Sequence, residues 1–383
     1  MQRIDLIATA AFGLESVVAY ELKKLGYEDQ QTEQGRVIFR GDAAAIARSN
    51  MWLRTADRVL LRMGEGRAST FDELFDLVRG LPWSEMLPDD AFVHVLEAKT
   101  NKSLLTNSPA IQSIVKKAIV EAMLARQGGG RLPETGPRFK VQVSINNDVA
   151  TIALDSSGEG LHRRGYRELT ATAPLKETLA AGLLSLSRWY TDRPFADPLC
   201  GSGTIPIEAA LLALNIAPGL HRHFDAEGWP LVPAQLWRDA RKEALDLRQM
   251  KNHVQIQASD IDPDVLSLAG HHARLAGVAD HVRFETRPVK LFGTHADYGT
   301  IVTNPPYGER LGDEPQVEQL YREMGEAFRR NDTWSVFVLT SFDRFEHFYG
   351  KKADKKRKLY NGRIRCDFYQ YNGPRPPRVR QET

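Results

Sequence analysis

The chain has 383 residues, 26% charged and 42% hydrophobic, an ordinary globular composition with room for two or three domains. Its 51 basic and 49 acidic side chains leave a formal net charge of +2, so any surface for an anionic partner must be a local patch. Two cysteines, Cys200 and Cys366, exclude a disulfide framework and a thiolate zinc site, and no apolar run approaches the ~20 residues of a membrane span. The opening "RIDLIATA" alternates and predicts a strand. "GLESVVAYELKKLGYE" has helical spacing with Gly26 placed to stop the helix. An early acidic residue and an amphipathic continuation differ from a signal peptide, which predicts a cytoplasmic protein. "GRVIFRGD" predicts a second strand, and "DAAAIARSNMWLRTADRVLLRMGEG" a helix and a third strand. Together these make an α+β module over residues 1–66.

A second α+β module is predicted over residues 67–160. "TFDELFDLVRGLPW" reads as a helix, "AFVHVLEAKT" as a strand and "SPAIQSIVKKAIVEAMLARQ" as an amphipathic helix ended by "GGGRLPETGP". "RFKVQVSINNDVATIALDSSG" reads as two strands about the turn Asn146-Asn147-Asp148. From Thr172 strands alternate with helices, which implies a mainly parallel sheet covered on both faces. Asn361-Gly362 lies between "RKLY" and "RIRCDFYQY" and predicts a closing antiparallel hairpin. The third segment, residues 161–383, is thus α/β.

"FADPLCGSGTIPIEAALLAL" is strand, glycine turn, helix. Gly201 and Gly203 turn the backbone tightly at the carboxyl end of the strand and set a ligand against a helix N-terminus. The spacing is neither G-x-G-x-x-G nor a P-loop, so no phosphate cradle is indicated. Asp197 before the turn would repel a pyrophosphate and can pair with an ammonium group. Asp260 and Asp262 end the next strand in "SDID", where a carboxylate can accept from both hydroxyls of a ribose. An ammonium and a ribose without phosphate describe S-adenosylmethionine better than NAD or ATP. Taken alone, the glycine turn is equally an ordinary αβ turn; the ordered set of motifs carries the argument.

"IVTNPPYGERL" completes that set. Two prolines cannot continue a helix or a paired strand, so a strand ends at Thr303 and a stiff turn presents Asn304 and Tyr307. Hydrogen bonds from an exocyclic amine to the Asn304 amide oxygen and the Pro305 carbonyl would localise its lone pair and favour the developing ammonium. Pro305 and Pro306 remove competing donors, Tyr307 can stack on the base, and Gly308 leaves room for close approach.

"DPLCGSGT", "SDID" and "NPPYG" in this order resemble the class I S-adenosylmethionine-dependent amino-methyltransferases. "TAAFGLESVVAYELKKLG", "LRTADRVL", "SLLTNSPAIQSIVKKAIV", "LHRRGYR", "APLKETLA" and "NPPYGERL" resemble the THUMP-domain RNA methyltransferases over nearly the whole chain. Within them the likeness is to the branch that methylates guanine N2 in bacterial large-subunit ribosomal RNA. The resemblance implies a ferredoxin-like module at 1–66, a THUMP-like RNA-binding domain at 67–160 and a Rossmann-like class I methyltransferase domain at 161–383. It implies S-adenosylmethionine as cofactor, held by the turn Cys200-Gly201-Ser202-Gly203-Thr204. Asp197, Gly201 and Gly203 would lie at its methionine end, Asp260 at the ribose and Ile261 at the adenine, with Asn304, Pro305, Pro306 and Tyr307 at the target amine and Asn304 touching the cofactor as well. Where the family often carries an Asp near the adenine amine, this chain has Arg287 and Pro288, so backbone groups are expected there.

By the same resemblance the partner is RNA, ribosomal RNA before tRNA. Lys116 and Lys117 on the THUMP-like helix are candidate contacts. Arg163, Arg164, Tyr166 and Arg167 of "RRGYR" combine charge with an aromatic ring suited to unpaired nucleotides. "KKADKKRK" supplies Lys351, Lys352, Lys355 and Lys356 for phosphates. The insertion after the glycine-loop helix holds His221, His223, Trp229 and Trp237. His-x-His without acid or thiol partners is a weak metal signal, and packing of the tryptophans against the sheet edge is expected. Cys200 is expected to fill space rather than act as a nucleophile. N6-methylation of adenine in DNA or RNA shares the same motif, and a tRNA guanine-N2 activity or an RNA-binding assembly factor with a vestigial cofactor fold are further alternatives.

Overall fold

The computed structural model describes residues 3–167, 175–307 and 314–377. Two compact units account for it. The first comprises Met1–Ala10, Val18–Leu161 and Gly219–Asp246, and the second Ala11–Val17, His162–Pro218 and Leu247–Thr383.

The first unit holds β1 (Ile4–Ala10), most of α1 (Glu15–Lys24), β2 (Gln30–Glu33), β3 (Arg36–Gly41), α2 (Ala43–Trp52), β4 (Ala56–Arg67), α3 (Phe71–Arg79), α4 (Trp83–Met86), β5 (Phe92–Val95), β6 (Lys99–Asn101), α5 (Ser108–Gln127), β7 (Arg138–Asn146) and β8 (Val149–Asp155). Local chemistry sets the boundaries. Thr70 and Glu73 form a reciprocal capping box on α3, and Gly128 at φ 78° ends α5. Asn147 and Asp148 both take positive φ, the two-residue turn that matches strand twist. Pairing of β4 with β8 makes one eight-stranded sheet in the order β2-β3-β1-β4-β8-β7-β5, with β6 also on β7.

Three elements differ from the sequence expectation: the helix expected through Trp83 stops at Arg79, with the separate short α4 after it. β2, "QQTE", has no apolar alternation, because it pairs only with β3 at the sheet edge and buries no face. "AFVHVLEAKT" divides into β5 and β6, each parallel to β7.

The second unit holds α6 (Glu177–Ser187), β9 (Phe195–Asp197) and α7 (Thr204–Ala213); α8 (Ala234–Asp246) follows in the chain but belongs to the first unit. β10 (Ile256–Asp260), α9 (Pro263–Leu275), β11 (Val282–Thr286), β12 (Thr300–Thr303), α10 (Glu314–Arg329), β13 (Ser335–Thr340), α11 (Phe345–Tyr349), β14 (Lys355–Asn361) and β15 (Ile364–Tyr371) complete it. The sheet runs β11-β10-β9-β12-β13-β15-β14, parallel from β11 to β13 and closed by the antiparallel hairpin. That hairpin turns on Gly362-Arg363, since Asn361 pairs with Ile364. Only Gly362 has positive φ, so the loop is one residue later than the Asn-Gly signal suggests.

The insertion tryptophans, expected at an edge of the parallel sheet, pack within the first unit. Trp229 stacks on Phe139 of β7, with 5.3 Å between ring centroids, and Trp237 on Phe224 at 5.1 Å.

Candidate functional site

The α7 connection leaves β9 toward β10 on one side, while β12 lies on the other, so the strand order reverses at β9. Open α/β sheets bind ligands at the carboxyl ends of the strands flanking that reversal. Asp197 ends β9, Asp260 ends β10 and Asn304 follows β12, so the motifs converge there.

Asp197 is buried, and its Oδ1 accepts from Thr303 Oγ1 at 2.7 Å and from the Leu199 N–H at 3.3 Å. Burial pushes its carboxyl up to about 7, and among the described residues no cation pairs with it. A buried carboxylate in that state suits an incoming ammonium. Asp260 Oδ2 accepts from Gly201 N–H at 2.9 Å and Oδ1 from Asp262 N–H at 3.1 Å, leaving lone pairs for two hydroxyls. Asp262 itself caps α9. Gly201 has φ 52° with open space where a Cβ would stand, whereas a Cβ on Gly203, at φ 85°, would meet Ala269 at 3.0 Å. His272 Nδ1 lies 3.1 Å from the Ser202 carbonyl, an acceptor, so that nitrogen carries the proton and braces the loop. Cys200 is buried and burial raises its thiol well above the usual value, which agrees with a filler. Ile261 is 68% exposed beside Asp260, an uncovered apolar side chain of the kind an adenine ring would cover. Buried acid, open glycine cradle and exposed apolar flank fit S-adenosylmethionine. Arg287 turns away onto Phe292, 5.4 Å from the ring centroid, while its backbone N–H donates to the Asp260 carbonyl at 2.9 Å.

The NPPY turn is held from outside the motif. Pro305 is buried and Pro306 exposed. The Pro306 carbonyl accepts from Tyr321 Oη at 2.8 Å, and that hydroxyl lies 2.9 Å from Thr340 Oγ1. Tyr307 donates its hydroxyl to Asn304 Oδ1, and Asn361 Nδ2 reaches Tyr307 Oη at 3.5 Å. The amide oxygen expected to receive the target amine is therefore engaged by the motif's own tyrosine. Gly308 lies outside the described residues.

Residues 164–370 match the RMKL-like methyltransferase domain, residues 5–60 the RlmL ferredoxin-like domain and residues 68–155 the THUMP domain. The chain belongs to the RMKL-like methyltransferases. It is 49% identical, over 386 residues and the whole of both chains, to YpsC of Bacillus subtilis (strain 168), described as a candidate RNA methyltransferase. The crystal structure of a predicted N6-adenine-specific DNA methylase from Listeria monocytogenes str. 4b F2365 superposes with a TM-score of 0.93 at 52% identity, covering 98% of this chain and 97% of that one. SMU.472, a candidate methyltransferase solved in complex with SAH, gives 0.93 at 44%, covering 98% and 100%.

The remaining candidate residues of this RMKL-like chain divide by burial. Arg164 and Tyr166 are not surface groups. Both are buried on Glu208 of α7, at 3.4 Å and 3.1 Å, which removes them from an RNA-facing set. Arg167 bonds Thr204 Oγ1 and pairs with Glu177 at 3.2 Å, bracing the start of α7. Arg163 is exposed. Lys116 donates to the Val93 carbonyl at 2.6 Å and pairs with Glu134, while exposed Lys117 lies 3.8 Å from Glu121. Lys351, Lys352, Lys355 and Lys356 are exposed, with Lys356 paired to Glu346 at 2.8 Å. His223 is exposed beside Glu227, and among the described residues no cluster of three His, Cys, Asp or Glu side chains could hold a metal. Nor is any described helix long and apolar enough to cross a membrane.

Sequence reasoning missed Thr303, Tyr321, Asn361 and His272. Thr303 sits inside the quoted motif. The other three are ordinary helix or hairpin residues whose partners are remote in sequence.

Proposed function

We propose that this protein transfers a methyl group to the exocyclic amine of a nucleobase in RNA, guanine N2 of 23S ribosomal RNA before any other. S-adenosylmethionine is the methyl donor, and it supplies an already electrophilic sulfonium methyl. The observation that carries the reading is the Thr303–Asp197 hydrogen bond, which joins the strand bearing Asn304 directly to the buried acid of the cofactor loop. With donor and acceptor on adjacent strands, catalysis is largely alignment.

The chain's own part begins with release of Asn304 Oδ1 by Tyr307. The target amine then donates to that oxygen and to the Pro305 carbonyl, and the freed ring stacks on the base. As the N–C bond forms, the S–C bond breaks with its electron pair left on sulfur. The nitrogen becomes cationic against two fixed acceptors and then loses one proton to solvent. A lysine here would oppose that charge; an amide and a carbonyl favour it. A base within a helix must leave its stack to reach this turn.

The THUMP match and the RNA description of the Bacillus subtilis relative support RNA as substrate. The description of the Listeria structure supports a second reading, adenine N6, by the same mechanism. Two buried free thiols fit the reducing cytoplasm.

Nucleoside mass spectrometry after incubation with isotope-labelled S-adenosylmethionine and unmodified rRNA, tRNA or DNA tests this directly. Labelled N2-methylguanosine in rRNA, absent with Asn304→Ala, is expected. Label in N6-methyladenine would overturn the base assignment, and label only in tRNA or DNA would overturn the substrate.

A further inference from the structure

The basic run on β14 ends in a feature that neither the cofactor loop nor the NPPY turn uses. β14 is the edge strand of the second sheet, and Phe12 and Gly13 lie against it. Gly13, at φ 89°, makes the approach possible: a Cβ there would stand 2.9 Å from Leu359 Cδ2 and 3.0 Å from the Lys358 carbonyl. Arg357 Nη2 fixes the segment by donating to the Gly13 carbonyl at 2.5 Å. The result is to hold Phe12 beside Tyr360, ring centroids 5.7 Å apart and planes at 87°. Phe12 remains 42% exposed although the backbone beside it is fixed. Lys358 lies 6.0 Å from the Phe12 ring and 5.5 Å from the Tyr360 ring.

We propose that Phe12 and Tyr360 form a stacking site for an unpaired nucleotide flanking the target base, with Lys358 on its phosphate. The inference rests on the reading of the chain as an RNA methyltransferase. Two observations choose this occupant. The first is charge: Arg365 stands opposite Tyr360 in the hairpin register and Arg363 occupies its turn, both exposed, while the acids nearby are Asp367 opposite Lys358, Glu15, which accepts from the Gly13 N–H at 2.8 Å, and Glu346, paired to Lys356. Aromatic rings among cations suit a base and its phosphate, and stacking accepts any base. The second is continuity: Asn361, the next residue after Tyr360, reaches Tyr307 of the NPPY turn. Consecutive strand residues point to opposite faces, so Tyr360 and Asn361 diverge at the end of β14, and an RNA strand passing from the stacked nucleotide to the target base would cross the rim of the sheet there.

The test is fluorescence anisotropy with a short labelled single-stranded RNA, and with the same strand annealed to its complement, without cofactor. Phe12→Ala and Tyr360→Ala should each weaken single-strand binding about 5- to 160-fold, as loss of one stacked base does. Phe12→Tyr should restore it, duplex binding should be unchanged, and SAH affinity by calorimetry should match the parent. Unchanged single-strand affinity overturns the site. Equal losses on strand and duplex overturn stacking in favour of a phosphate surface. Loss of SAH affinity in the same variants makes the pair structural and overturns it too. Because this readout needs no methyl transfer, an absence of label in the mass-spectrometric assay would sink the proposed function separately.

Discussion

Asp197 is the buried carboxyl of the turn proposed to hold the cofactor. Burial raises its value to about 7, with the Thr303 and Leu199 donors opposing burial. The folded protein therefore keeps a proton that an unfolded aspartate, near about 3.9, has shed. The sign follows: without ligand this group favours the folded state below about 4 and loses that contribution as pH rises through about 7. An ammonium ligand reverses the preference, because it pairs with the ionised form. SAH affinity by calorimetry should rise as pH passes about 7 and fall once the ligand amine deprotonates near about 8. Asp197→Asn should be weak and flat across this range, and Thr303→Val should move the rise to higher pH. A parent profile with no rise would refute the pairing. Tyr307 offers a second check at the same scale. Tyr307→Phe releases Asn304 Oδ1 yet keeps the ring, so kcat/KM on RNA should stay within about threefold, whereas Tyr307→Ala forfeits about 1–3 kcal/mol of stacking. Equal losses in the two variants would assign the role to the hydroxyl instead.

Among elements, α7 shows what the sequence could and could not disclose. Its helix, glycine cap and strand were legible from periodicity and turn chemistry, as were most of the described helices, but not α4, α8 or α11. "RRGYR" looked like a surface because five residues carry no trace of a partner some forty positions away. The usable signal lay in α7 itself, where Glu208 is the lone charge in a buried apolar helix and so demands a buried counter-charge. Glu208→Ala removes the carboxylate that Arg164 and Tyr166 share, and should cost about 3–5 kcal/mol in denaturant unfolding, since removing one member of a buried ion pair is expensive. SAH affinity should fall with it, because the same segment braces Thr204 through Arg167. A Glu208→Ala chain as stable as the parent would show that these charges are solvated in solution. β2 was invisible for the opposite reason: an edge strand that buries nothing needs no pattern. The hairpin turn shifted by one residue because register follows the buried alternation of Leu359, Cys366 and Phe368, not the most turn-prone dipeptide.

At the scale of the whole molecule, the motifs survive in order along the chain while the packing does not. Residues 11–17 and 219–246 each belong with the unit that the rest of their neighbourhood does not, and no composition shift marks the exchange. Charge behaves similarly. A net charge of +2 gives no general attraction for a polyanion, so RNA binding must come from few, local contacts. The basic run is not uniform in this respect: Lys356 is already paired with Glu346, whereas Lys358 faces the aromatic pair. Each phosphate neutralised on a single strand contributes about 0.7 to the slope of log affinity against log salt. Lys358→Gln should therefore lower that slope by about 0.7, and Lys356→Gln should leave it unchanged, since its charge is spent within the protein. Equal slopes for Lys358→Gln and the parent would mean that the hairpin does not touch phosphate. A change with Lys356→Gln would mean that RNA breaks the Glu346 pair and recruits the whole run.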